Sequence, residues 1–214
     1  MSASIIKPMA ILGGTFDPIH NGHLRLAIDI AETLNLQELR LMPGYQPVHR
    51  DRPSASVEQR LQMLKLAVAD CELLTVDDRE LLRKGPSWTL LSLQEIRSEI
   101  TAERPLYFIL GEDAFCHFDN WYHWDKLTDY AHLLVAVRPG SHPEVSEKLQ
   151  QFIQQHEYQG VGFPESASGN IVFLDNPMLD IASSDIRERI SKNRNIRHLL
   201  PADVIEYLQT QKIY

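Results

Sequence analysis

Two histidines three residues apart carry the strongest chemical signal in this chain. His20 and His23 close the run Gly13-Gly14-Thr15-Phe16-Asp17-Pro18-Ile19-His20-Asn21-Gly22-His23, which follows the apolar Met9-Ala10-Ile11-Leu12 and precedes a helical pattern. A strand that runs into glycines and then a helix exposes backbone N–H groups to an anion. Imidazole is the side chain whose charge is most readily adjusted near neutral pH, so two of them at such a turn suit contacts to phosphate oxygens. Gly22 leaves the backbone between them without a Cβ, which gives room for a bulky ligand to approach. The glycine spacing is not that of the dinucleotide fingerprint. A zinc site is the weaker reading, since neither a cysteine cluster nor HExxH spacing accompanies the pair.

Other candidates stand where an α/β chain leaves its strands. The loop Pro43-Gly44-Tyr45-Gln46-Pro47-Val48-His49-Arg50 is stiffened by two prolines and carries a His-Arg pair. It reads either as a solvated loop or as a substrate-side loop at the carboxyl end of a parallel strand. Gly111-Glu112-Asp113 follows the apolar run 105–110, where an acid suits a ribose hydroxyl, a bound cation's water or a neighbouring arginine. One aspartate does not define a metal site. Arg138 ends the run 132–137 and would meet a polyphosphate there. Ser183 or Ser184 can cap a helix whose free N–H groups and dipole favour phosphate, with Arg187 on its first turns; a plain capped helix is the competing account. Ser87 can cap another helix, with Trp88 and Thr89 in its first turn. Phe115, Phe118, Trp121, Tyr122 and Trp124 fit one helix packed on a sheet, or an aromatic wall for a planar heterocycle.

The elements that must position these groups alternate. Strands are expected at 9–12, 38–42, 73–76, 105–110, 132–137 and 171–174. Between them lie helical patterns, with Leu24, Ala27, Ile28, Ala31 and Leu34 as the first apolar stripe. Arg25 on that helix faces ligand or solvent. Ser56 and Gln59 have capping-box spacing before Val57, Leu61, Leu64, Ala67 and Val68. Arg60 on the same helix is expected in a surface or indirect ion pair, and 77–80 as a solvated strand end. Residues 141–170 read as a peripheral helix followed by a flexible excursion. The expected class is α/β: a Rossmann-like, mostly parallel sheet with helices on both faces. A single domain spans 1–214, with 181–214 as its small C-terminal helical part.

The first run resembles the nucleotidyltransferase superfamily with its His-x-Gly-His signature, and the longer GGTFDPxHxGH form is similar to the bacterial nicotinate-nucleotide adenylyltransferase family. Other segments resemble the same family: Pro86-Ser87-Trp88-Thr89 with Trp88 for a tyrosine, the spacing Phe118, Trp121, Trp124, and Ile181-Ala182-Ser183-Ser184-Asp185-Ile186-Arg187. The likeness covers nearly the whole chain and is weakest over 141–170. It implies adenylyl transfer from MgATP to nicotinate mononucleotide, giving deamido-NAD and pyrophosphate. His20 and His23 would be catalytic. Gly13, Gly14, Thr15, Phe16, Gly111, Asp113, Arg138, Ser183, Ser184 and Arg187 would join them in binding ATP. His49, Arg50, Ser87, Trp88, Thr89, Trp121 and Tyr122 would bind the mononucleotide, with Trp121 stacked on the pyridine ring and Trp124 in the core. Mg²⁺ would come with the ATP, and no protein metal ligands are implied. The alternatives are transfer of an adenylyl or cytidylyl group to another phosphorylated acceptor such as phosphopantetheine, or a non-catalytic nucleotide-binding protein.

Composition bounds these readings. With 214 residues and 43% hydrophobic, the chain can bury a substantial core. The 21 basic against 29 acidic residues give a formal charge of −8, which disfavours binding to a nucleic acid polymer. Cys71 and Cys116 are too few for a disulfide framework. No run approaches the roughly 18 apolar residues of a membrane span, and no signal-peptide core is seen. A cytoplasmic protein without a membrane partner is the expectation, with homo-oligomerisation left open.

Overall fold

The computed structural model describes residues 6–45, 52–141 and 144–214. Among the described residues six strands form one sheet: β1 (Met9–Gly14), β2 (Leu39–Pro43), β3 (Leu74–Val76), β4 (Leu106–Gly111), β5 (His132–Val137) and β6 (Ile171–Asp175). Their order is β3-β2-β1-β4-β5-β6. β1 pairs with β4, β4 with β5 and β5 with β6, all parallel; Ile11 lies opposite Phe108, and Ile109 opposite Leu134. Every residue of β5 is buried, as a strand covered on both faces requires. Among the described residues the helices are α1 (Asn21–Thr33), α2 (Val57–Val68), α3 (Arg79–Arg83), α4 (Thr89–Glu99), α5 (Glu112–Phe115), α6 (Glu147–His156), α7 (Ser183–Ser191) and α8 (Ala202–Gln211). The strand order reverses between β1 and β4, and sheets wound this way bind ligands beyond their strands' carboxyl ends at that reversal. The expected α/β class holds, with strand bounds moved by a residue or so and β5 as expected. None of the described helices is long and apolar enough to cross a membrane.

The chain divides into two compact units. The first comprises Met1–Leu12, Ala31–Leu39 and Trp88–Pro177, and the second Gly13–Ile30, Arg40–Ser87 and Met178–Tyr214. In the first unit the segment after α6 is pinned, contrary to the expected flexible excursion. The Tyr107 hydroxyl donates to the Pro164 carbonyl at 2.7 Å, and the Arg97 guanidinium reaches the carbonyls of Tyr130, Arg104 and Ala167. His132 is fully buried; its Nδ1 accepts from the Asn170 N–H, so Nε2 carries the proton and donates to the Ser166 carbonyl at 2.7 Å. Burial lowers its pKa, which keeps that arrangement neutral. The aromatic segment is not one helix. It breaks into α5 and two short 3₁₀ turns, Phe118–Asn120 and Trp124–Asp129, because the Trp121 and His123 conformations interrupt the helical path.

In the second unit the capping box of α2 is present: the Ser56 hydroxyl accepts from the Gln59 N–H, and the Gln59 side chain accepts from the Ser56 N–H. The buried face of α2 is Arg60, Met63 and Leu64, so the helix is rotated from its expected stripe. Of the expected first stripe, Ala27, Ala31 and Leu34 are buried and Leu24 and Ile28 half-buried, with Leu26 and Ile30 completing the buried face. The strand end at 77–80 is not solvated. Asp77 and Glu80 are buried; burial pushes the Asp77 carboxyl up, but its hydrogen bonds from Arg79 and the nearby Arg40 guanidinium outweigh this and hold its pKa below the usual value.

Candidate active site

The turn out of β1 is built around Phe16. Its φ is +51°, a left-handed conformation that strains a bulky residue by about 1 kcal/mol or more. The ring is buried and lies over Gly14, where a Cβ would stand 2.8 Å from it. Glycine at 14 is therefore what lets the ring in. The edge of Phe16 then meets the His23 ring, centroids 5.1 Å apart at 76°. Phe16 supports an imidazole with its buried side chain.

His20 and His23 stack, with centroids 3.7 Å apart and planes 23° from parallel. The His23 N–H is shared between the His20 carbonyl at 3.0 Å and the His20 Nδ1 at 3.3 Å. A donor facing Nδ1 places the ring proton on Nε2. His20 is 5% exposed, and burial pushes its pKa from 6.5 down to about 4. At neutral pH it is thus an uncharged N–H donor. Gly22 serves His20, since a Cβ there would meet the His20 ring at 3.0 Å. Gly22, expected to leave room for a ligand, leaves room for the ring of His20.

The low pKa of His20 makes stability depend on pH. Unfolded, the imidazole takes a proton near pH 6.5; folded, only near 4. Its contribution is complete above about pH 6.5 and is lost as the pH falls through 4, a total of about 3 kcal/mol at 1.36 kcal/mol per unit. Urea midpoints measured from pH 7 to 4 are expected to fall steeply for the native sequence, and less steeply for His20→Asn.

Asp17, not singled out from the sequence, organises the turn. Its carboxylate accepts from the N–H of Ser54 at 2.8 Å, the N–H of Ala55 at 3.0 Å and the Tyr214 hydroxyl at 2.6 Å. Its carbonyl accepts from Arg187 at 2.6 Å. Arg60 is 1% exposed rather than at the surface, and its guanidinium donates to the carbonyls of Thr15 at 2.8 Å and Tyr45 at 3.2 Å. Burial lowers its pKa, and the Asp17 charge opposes this. Arg25 pairs with Asp29 along α1 and faces solvent.

α7 begins at Ser183, with Ala182 as its N-cap and no side-chain cap. The expected serine cap is absent because the Ser183 hydroxyl donates instead to the Pro18 carbonyl at 2.9 Å. The helix is thereby tied to the histidine turn, and its first-turn N–H groups lack a cap from residue 182. Ser184 is exposed beside them. The second unit thus gathers Gly13, Gly14, Thr15, Phe16, His20, His23, Ser183 and Arg187 about one turn.

The first unit holds the other group. Gly111 ends β4, and a Cβ there would meet nothing within 4 Å. Asp113 is exposed in α5, and Arg138 is exposed just past β5. Trp88 and Tyr122 stack at 4.1 Å and 14°. Trp121 packs at an angle against Phe108 and Phe118, and Trp124 is buried as expected. Ser87 does not cap α4: Trp88 is the N-cap residue and no side chain caps the helix. Thr89 opens that helix. His49 and Arg50 lie outside the described residues. Among the described residues no three His, Cys, Asp or Glu side chains are grouped to hold a metal ion.

The cytidylyltransferase-like family model matches residues 11–189. A protein of Marinomonas sp. (strain MWYL1), named a probable nicotinate-nucleotide adenylyltransferase, is 40% identical over 210 residues, covering 98% of this chain and 95% of that one. A Yersinia pestis (strain Pestoides F) protein with the same name is 42% identical, covering 96% and 94%. Among solved structures, Plasmodium falciparum nicotinic acid mononucleotide adenylyltransferase complexed with NaAD shares the fold at a TM-score of 0.71, with 20% identity and 97% of each chain covered. The chain belongs to the cytidylyltransferase-like family, in its nicotinate-nucleotide adenylyltransferase branch.

Proposed function

We propose that this chain transfers the adenylyl group of MgATP to nicotinate mononucleotide, forming deamido-NAD and pyrophosphate in NAD biosynthesis. The observation that carries the proposal is the stacked His20–His23 pair in a chain related over nearly its full length to proteins of that name. The 5′-phosphate of the mononucleotide attacks the α-phosphorus; one P–O bond forms, and the bond to the bridging oxygen of pyrophosphate breaks. The attacking oxygen is already anionic, so no protein nucleophile is needed. Orientation and charge stabilisation supply the rate.

In this reading the neutral His20 donates its Nε2–H to a phosphate oxygen as negative charge develops, and His23 acts beside it. The first-turn N–H groups of α7, with Ser184, Arg187 and Arg138, take the β- and γ-phosphates. The backbone of 13–16 lines the phosphate path, and Gly111 and Asp113 serve the adenosine. Mg²⁺ would come with the ATP as part of the substrate and would supply charge neutralisation of the triphosphate, with no side chain of this chain assigned to hold it. Ser87, Trp88, Thr89, Trp121 and Tyr122, with His49 and Arg50, take the mononucleotide, Trp121 against the pyridine ring. The protein acts in the cytoplasm, where Cys71 and Cys116 stay as thiols.

The test is pyrophosphate release from MgATP with three acceptors: nicotinate mononucleotide, nicotinamide mononucleotide and phosphopantetheine. Nicotinate mononucleotide is expected to be used best. Preference for phosphopantetheine, or no turnover with either mononucleotide, would overturn the proposal.

A further inference from the structure

Asn21 stands between the two histidines and is held by a segment 177 positions away in sequence. It opens α1, and the His20 carbonyl before it accepts from the His23 and Leu24 N–H groups, so His20 is where the helix begins. The Asn21 backbone N–H donates to the Leu199 carbonyl at 2.9 Å, and its side-chain Nδ2 donates to the His198 carbonyl at 2.7 Å. One residue thus grips two successive carbonyls. The backbone bond satisfies one of the donors that every helix start leaves open, and any residue but proline could make it. The side-chain bond needs a donor on a short arm, which an asparagine amide supplies.

The turn that presents these carbonyls is tightly wound. His198 is left-handed, φ +65°. The Arg197 N–H donates to the Asn195 side chain at 2.8 Å, and the Leu199 N–H donates to the Ile196 carbonyl at 3.2 Å. Ile196 and Leu200 are buried and anchor the turn at both ends. Toward α8 a cavity of about 490 Å³ opens beside it, lined by Arg194, Arg197, Ile205 and Glu206 among others. On that side the turn is not fully packed, and Asn21 joins its carbonyls to the helix start. Both imidazoles depend on how the chain leaves His20: the His20 ring lies against Gly22, and its Nδ1 faces the His23 N–H at 3.3 Å. A rotation of the backbone at Asn21 therefore moves the two rings together, and a misplacement of about 1 Å can cost about 10²-fold in rate.

We propose that Asn21 is a positioning residue for the reaction: its side-chain amide, bonded to the His198 carbonyl, fixes the helix start that aims His20 and His23. The proposal rests on the reading of those two histidines as catalytic. Asn21 acts through the imidazoles and not on the substrate, and that separates it both from a ligand contact and from a side chain that only holds the fold.

The experiment compares wild type, Asn21→Ala, His20→Asn and the double variant with MgATP and nicotinate mononucleotide. Thermal midpoints are measured first, and kcat and both KM values are then taken well below the lowest of them. Alanine favours a helix more than asparagine does, which offsets the lost bond, so the Asn21→Ala midpoint should stay within a few degrees of wild type. If it falls further, Asn21→Ser, whose hydroxyl is too short to reach the carbonyl, takes its place in the same comparison. Asn21→Ala is expected to lower kcat about tenfold while both KM values stay within about twofold. In the His20→Asn background the same change should cost less than about twofold, because the ring it aims is gone. An unchanged kcat in a wild type that turns over would overturn this proposal alone, as would an equal penalty in both backgrounds or a loss confined to KM. A wild type that releases no pyrophosphate would overturn the functional reading and this proposal with it.

Discussion

Replacing His20 with asparagine is expected to lower kcat/KM for dinucleotide formation by about 10²–10³-fold, the range found when one preorganised donor to a developing charge is removed. Asparagine is the informative substitution. Its side-chain oxygen can stand near the position of Nδ1 and accept the His23 N–H, so the turn keeps its local hydrogen bond. What disappears is the ring's Nε2–H and the stack on His23 at 3.7 Å. The thermal midpoint should move by only a few degrees at pH 7.5, so the loss cannot be charged to unfolding. His23→Asn is expected to show a loss of similar size. The two losses should not add in the double variant, because in the proposed mechanism the stacked imidazoles act on one phosphate as a unit. Full activity in either single variant would contradict the mechanism.

The largest stability effect is expected at Arg60. This arginine is 1% exposed, and its two hydrogen bonds hold the carbonyls of Thr15 and Tyr45, which no apolar side chain can satisfy. Arg60→Met fills similar volume but strips both acceptors of a charged donor. At roughly 1.5–3 kcal/mol for each hydrogen bond to a charged group, the variant should lose about 3–6 kcal/mol in urea unfolding. Release from burying the guanidinium charge offsets part of that, which favours the lower figure. Arg60→Lys keeps the charge but offers a point donor in place of a fork, so it should lose about half as much. A loss below about 1 kcal/mol in Arg60→Met would show that the carbonyls find other partners.

These residues also show what was legible in the sequence. Strands buried on both faces write continuous apolar runs, and β5 was legible from His132 to Val137 for that reason. The Ser56–Gln59 cap was legible because both partners lie within one helical turn. Long-range polar bonds leave no such trace. Ser183 looks like a cap by type and place, yet its hydroxyl is used by Pro18, 165 residues away. Tyr214 and Asp17 are 197 positions apart, and neither residue alone signals the other. Charge misled where it was compensated: Asp77 and Arg60 read as solvent-facing by type, but both are buried with their hydrogen bonds made. The aromatic segment carried helical spacing, and nothing in that spacing marks His123 as the left-handed residue that interrupts it.

The proposed reaction breaks ATP at its α-phosphorus. It is tested most directly by following label from ATP carrying ³²P at the α- or the γ-phosphate, with nicotinate mononucleotide as acceptor. Adenylyl transfer puts α-label in the dinucleotide and γ-label wholly in pyrophosphate. Transfer of γ-label to the mononucleotide, or release of γ-label as inorganic phosphate with no dinucleotide formed, would contradict it.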